Sequence, residues 1–166
     1  MTGLARFGSR RNQVVRRRPD GRYELVLDPR LRETVGALLS ELDQLVEAGP
    51  DDDGGLRRLN PPAYLDDADK DAEYQLLAGD ELRTSRRDAI AAVRSSLEAD
   101  GLDEAGLWAW LQSLNALRLV VGTRLGIDDD EGSDVEVDPD DPAAGLWSIY
   151  HFATWVQHEV VRALQG

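Results

Sequence analysis

The chain of 166 residues has no cysteine. Disulfides, thiolate nucleophiles and cysteine-ligated zinc are therefore excluded. Lysine is almost missing too: of 19 basic residues, all but Lys70 are arginine. Together with abundant Ala, Asp, Leu and Gly, that bias fits a GC-rich bacterial genome and says nothing of mechanism. No apolar run approaches the roughly 20 residues that a membrane span needs. The first apolar stretches are broken by arginines, so no secretory h-region is seen and the expected location is the cytoplasm. There is no phosphate-cradling glycine loop and no G-x-S-x-G elbow. His151 and His158 are seven residues apart, whereas zinc-binding helices place ligands three or four apart and need a third. The reading is a non-enzyme without metal or cofactor.

What the chain does have is acid. Its net charge is −13, unevenly spread. Residues 1–32 hold nine Arg against Asp20, Glu24 and Asp28, a sum of +6, which leaves −19 on the remainder. An acidic body repels phosphates, which disfavours a nucleic-acid partner. The cluster Arg10, Arg11, Arg16, Arg17, Arg18 reads as a solvated surface neutralising its own domain, or as a contact for phosphates or an acidic partner. The loop Asp128–Asp141 holds nine carboxylates. It lacks the ligand spacing of an EF-hand, so a mobile, metal-free loop is expected.

Hydrophobic period organises the rest into one domain, 1–166. Ala5–Phe7 and Tyr23–Asp28 read as strands of a β element within 1–28, around the turn signal Pro19-Asp20-Gly21. Leu31, Val35, Leu38, Leu39, Leu42, Leu45 and Val46 then keep helical spacing, with Asp28 as cap and Pro29 at the first helical position. The predicted helices are 29–48, 69–100, 103–125 and 142–165, with loops over 50–68 and 126–141 and a kink at Gly79. This is a mainly α fold: a bundle of four to five helices with a small N-terminal β-hairpin.

Helical wheels expose anomalies. The third helix has a wide apolar arc, Leu107, Trp108, Trp110, Leu111, Leu114, Leu117, Leu119, Val121 and Leu125, with Asn115 and Arg118 inside it. An arginine there needs a partner, and Glu73 is the favoured acid. Arg86 lies between Leu82 and Ile90 on its own apolar face, and Gln157 and Tyr150 lie on the core face of the last helix. Glu73, Arg86, Asn115, Arg118, Tyr150 and Gln157 thus form a candidate polar network, either a structural cluster or a pocket for an anion. Phe152 and Trp155 fall off the core face of the last helix, which marks a candidate interface for a second copy or another protein; the competing reading is that another element covers them.

The segments Pro61-Pro62-Ala63-Tyr64-Leu65-Asp66-Asp67, Glu73-Tyr74, Arg86, Trp110-Leu111-x-x-Leu114-Asn115-x-x-Arg118-Leu119-x-x-Gly122-Thr123-Arg124-Leu125 and Tyr150-x-x-x-Thr154-Trp155-x-Gln157 carry a resemblance. Together they resemble a bacterial family known as a domain of unknown function (number 2017). The resemblance spans nearly the whole chain, and the stretch around Asn115 and Arg118 is its most specific part. It implies no activity. It does imply a genomic neighbourhood beside the adaptor ClpS, which delivers substrates to Clp proteases, and so a regulatory role in protein turnover. The leading reading is a non-enzymatic protein-binding or regulatory module, a homodimer or a partner of the ClpS/Clp machinery. The alternative is a small anionic-ligand-binding protein, or an enzyme of unknown type, using Arg86 and Arg118. Nucleic-acid contact through the basic N-terminal segment comes third.

Overall fold

A computed structural model describes residues 13–48, 65–127 and 136–166. In chain order these form β1 (Val15–Arg17), β2 (Tyr23–Leu25), α1 (Pro29–Ala48), α2 (Ala68–Ser96), α3 (Glu104–Arg124) and α4 (Ala144–Gln165). The fold is mainly α, four helices among the described residues with a small antiparallel hairpin at the N-terminal side.

β1 and β2 pair as Val15↔Leu25, Arg16↔Glu24 and Arg17↔Tyr23. Between them Gly21 adopts φ 84°, and the Asp20 carboxylate accepts a hydrogen bond from the Arg22 amide at 3.0 Å. The turn is where Pro19-Asp20-Gly21 places it, but the strand before it is Val15–Arg17. So short a loop pairs the residues that flank it. The arginines that argue against a strand by composition, Arg16 and Arg17, are both exposed in this two-stranded ribbon, where charge is tolerated. Ala5–Phe7 lies outside the described residues, as do Arg10, Arg11 and residues 128–135 of the acidic loop.

The hairpin is tied to the α2–α3 connection. Tyr23 and Leu102 exchange two backbone hydrogen bonds, each 2.9 Å. Three arginines then bond carbonyls around the end of α2: Arg18 that of Asp100 at 3.4 Å, Arg22 that of Gly101 at 3.1 Å, and Arg32 that of Leu97. Arg32 also donates to the carbonyls of Leu25 at 3.0 Å and Leu27 at 3.1 Å. Cations here satisfy carbonyls at and just beyond the negative end of the helix dipole. Part of the basic N-terminal segment is therefore a cap for α2. The approach is tight: a Cβ on Gly101 would lie 3.1 Å from the Tyr23 carbonyl oxygen.

The first three helices each start on an aspartate that caps them, and α4 follows a turn closed by Asp141 without a side-chain cap of its own. Asp28 caps α1 by accepting from the Leu31 amide at 2.8 Å, and Pro29 occupies the first position. Asp67 accepts from the amides of Asp69 and Lys70, both 3.1 Å, at the start of α2. Asp103 accepts from Gly106 at 2.9 Å ahead of α3, and Asp141 from Ala143 at 2.8 Å ahead of α4. Gly126, with φ 74°, ends α3, and the Ile127 amide bonds the Gly122 carbonyl, as in a Schellman motif.

The core collects Val35, Leu39, Leu42 and Val46 of α1, Ile90 and Val93 of α2, and much of α3 and α4. α3 packs against α1, α2 and α4, which is why its apolar surface is so wide. Trp110, with no exposed surface, donates from Nε1 to Ser96 Oγ at 2.8 Å. α2 runs through Gly79 as one unbroken helix, and nothing lies within 4 Å of a Cβ built there. Its first half differs from its second: no residue from Ala68 to Asp88 is fully buried.

Candidate functional site

The candidate network resolves into a smaller cluster between α3 and α4. Arg118 projects from α3, and its Nη1 donates to Gln157 Oε1 at 2.9 Å. Its Nη2 donates to the Tyr150 hydroxyl at 3.2 Å, and its Cζ lies 5.1 Å from the Tyr150 ring centroid. A guanidinium over an aromatic face gains from the ring quadrupole while its N–H groups stay available. Tyr150 is buried, whereas Arg118 and Gln157 are half-buried. Helical spacing sets this up: Tyr150 and Gln157 are two turns apart on α4 and so share a face. Trp147 and His151 extend the aromatic surface, their rings 6.2 and 6.1 Å from that of Tyr150.

A shallow groove of about 590 Å³ borders this cluster, lined by Arg118, Gln157, His158 and Arg162 among others. It gives the guanidinium a path to solvent. Among the described residues, no group of three His, Asp or Glu side chains converges as a metal site would require.

Three members of the network lie elsewhere. Glu73 is exposed, and among the described residues Arg118 bonds Gln157 and Tyr150, so the expected Arg118–Glu73 pair is corrected. The inward face of α2 continues back from Ile90 through Leu82 to Gln75 and Asp71, all partly buried, and Glu73 falls outside it. Asn115 is exposed as well. The wheel of α3 counted Trp108 as core, which rotated the arc onto Asn115. In the structure Glu104, Trp108, Gln112 and Asn115 form the solvent stripe, with Trp108 Nε1 bonded to Glu104 Oε1 at 3.4 Å. Arg86 stays on α2, half-buried, and burial lowers its pKa below the usual arginine value.

The candidate interface on α4 is corrected too. Phe152 is buried, Trp155 is half-buried, and their rings pack 6.1 Å apart within the common core. β1 lies against α4, matching the competing reading that another element covers this face.

One ion pair had no signal in the sequence. Arg87 of α2 grips Asp43 of α1 with two hydrogen bonds, Nε to Oδ1 at 3.0 Å and Nη2 to Oδ2 at 3.3 Å. The hydrogen bond to Asp43 and its charge push the Arg87 pKa up, and Glu47, at 3.7 Å, adds to this. Such a bidentate pair fixes how α1 and α2 lie together.

A family model described as a domain of unknown function (DUF2017) matches residues 10–164. The chain belongs to this family. The match covers the described strands and helices up to residue 164, so Arg118, Tyr150 and Gln157 all lie within the family's domain. No curated protein and no solved structure shows a significant match.

Proposed function

We propose that this member of the DUF2017 family is a non-enzymatic, cytoplasmic protein-binding module that regulates protein turnover by the Clp machinery. The observation that supports binding is the exposure of Leu76 and Leu77, 80% and 76%, on neighbouring positions of one helix. Large apolar side chains held in water at one place signal a surface that another protein covers. The Clp link is supported by the family resemblance and by the genomic neighbourhood it implies. No described helix is long and apolar enough to cross a membrane.

A second reading takes the groove beside Arg118 as a seat for a small anion, favoured by the presence of Arg118, Arg162 and His158 along it. Retention of lysate proteins on the immobilised chain, followed by mass measurement of the reconstituted complex, tests both. A defined complex with another protein is expected. A chain that retains no protein and instead binds a carboxylate or phosphate, with loss on Arg118→Ala, would replace the first reading by the second.

A further inference from the structure

Of the seven large apolar side chains exposed among the described residues, four lie between Leu65 and Leu77: Leu65, Tyr74, Leu76 and Leu77. They surround the N-terminal half of α2, which buries nothing fully, while Ile90 and Val93 further along are 1% exposed. The same stretch is strongly acidic. Between Leu65 and Glu81 the sequence holds seven carboxylates and one cation, Lys70, a net charge of −6.

Helix stability accounts for part of that acidity. Asp67 caps α2, and Asp69 and Asp71 lie in its first turn, where the helix dipole favours them. Glu73, Asp80 and Glu81 lie beyond the reach of the dipole. Asp80 meets Arg83 at 3.4 Å, and Glu73 and Glu81 are exposed. Leu76 and Leu77 are neighbours, hence about 100° apart around the helix axis, and Glu73 and Asp80 fall in the arc between them. Apolar contacts and negative charge thus share one outward face.

We propose that this outer half of α2 is a docking surface for an arginine- and lysine-rich amphipathic segment of another protein. The inference rests on the protein-binding reading and names the partner's chemistry. Charge complementarity selects the occupant. A second copy of the same face would bring six net negative charges against six, and phosphates of nucleic acids or anionic lipids are repelled in the same way. An apolar stripe rimmed by Arg and Lys covers the leucines and meets the carboxylates together.

The test uses the full chain and two fluorescein-labelled synthetic helices, one of leucine and lysine, the other of leucine and glutamate. The lysine helix is expected to bind and the glutamate helix not. Leu76→Ser with Leu77→Ser is expected to weaken binding by about tenfold or more, as is the triple change Glu73→Gln, Asp80→Asn, Glu81→Gln. Equal binding by wild type and the leucine variant overturns the proposal. Both leucines are exposed, so the variant is expected to lose only the roughly 2–4 °C of Tm that serine's lower helix propensity costs at two helical positions. A fall well beyond that would show that a segment of the same chain covers them, and would also overturn it. So would sedimentation showing a wild-type dimer that the leucine changes dissociate. If the leucine variant retains from lysate the same protein as wild type, this surface is wrong while the protein-binding reading stands.

Discussion

The Arg118 guanidinium of α3 lies over the Tyr150 ring of α4, 5.1 Å from its centroid, and bonds both the Tyr150 hydroxyl and Gln157. Truncation leaves the oxygens of Tyr150 and Gln157 without this donor. Arg118→Leu is expected to destabilise by about 1.5–3 kcal/mol in urea unfolding. Glu73→Leu is expected to lie within about 0.5 kcal/mol of wild type, as for other exposed sites. A large loss on Glu73→Leu would reinstate the buried ion pair.

Ser96 links two helices through Trp110. Its Oγ accepts from Trp110 Nε1 at 2.8 Å and donates to the Val93 carbonyl at 2.6 Å. Ser96→Ala leaves a buried indole N–H without its acceptor, a cost of about 1–3 kcal/mol. Trp110→Phe in the Ser96→Ala background is expected to cost less than in wild type. A double-mutant cycle checks this, and strict additivity would contradict it.

The capping role of Arg32 predicts that lysine does not replace it. Arg32→Lys keeps the charge but has no planar fork to reach the carbonyls of Leu25, Leu27 and Leu97 together. Both Arg32→Lys and Arg32→Met are expected to lose about 2–3 kcal/mol. Amide exchange of Leu102 and Tyr23, which pair across the hairpin junction, is expected to quicken in both. Full rescue by lysine would mean that charge alone matters there.

Gly101 is expected to reject a methyl group. Gly101→Ala places its Cβ 3.1 Å from the Tyr23 carbonyl oxygen and 2.9 Å from Arg18 Nη1. The arginine can swing away and the backbone cannot. A loss of about 1–3 kcal/mol is expected from a thermal melt, whereas Gly79→Ala, with open space around it, is expected to stabilise α2 slightly.

The starts of the first three helices were legible because Asp28, Asp67 and Asp103 act locally, through amides two or three residues away. Local chemistry of that kind is written in spacing. Two of the three groups now found together on α3 and α4, Tyr150 and Gln157, were legible from the core face of α4, and Arg118 from the width of the α3 arc. Asn115 was misplaced because an exposed tryptophan counts as apolar on a wheel whatever it faces. Phe152 was misplaced for a related reason: α4 meets both α3 and β1, so its buried surface exceeds a single stripe. The Arg87–Asp43 pair and the three arginine caps join residues far apart in sequence, where spacing carries no signal. Leu76 and Leu77 are out of phase with Leu82, Ile90 and Val93, a pattern that suggests a kink at Gly79, whereas the unbroken helix shows them facing solvent.

The central claim is that the chain binds another protein through the acidic, leucine-bearing half of α2. Calorimetric titration of the purified chain with the purified protein it retains from lysate tests this most directly. Saturable binding is expected, weakened by salt and by about tenfold or more on replacing Leu76 and Leu77 with serine. Undiminished affinity in that variant, with the same salt dependence as wild type, would contradict it.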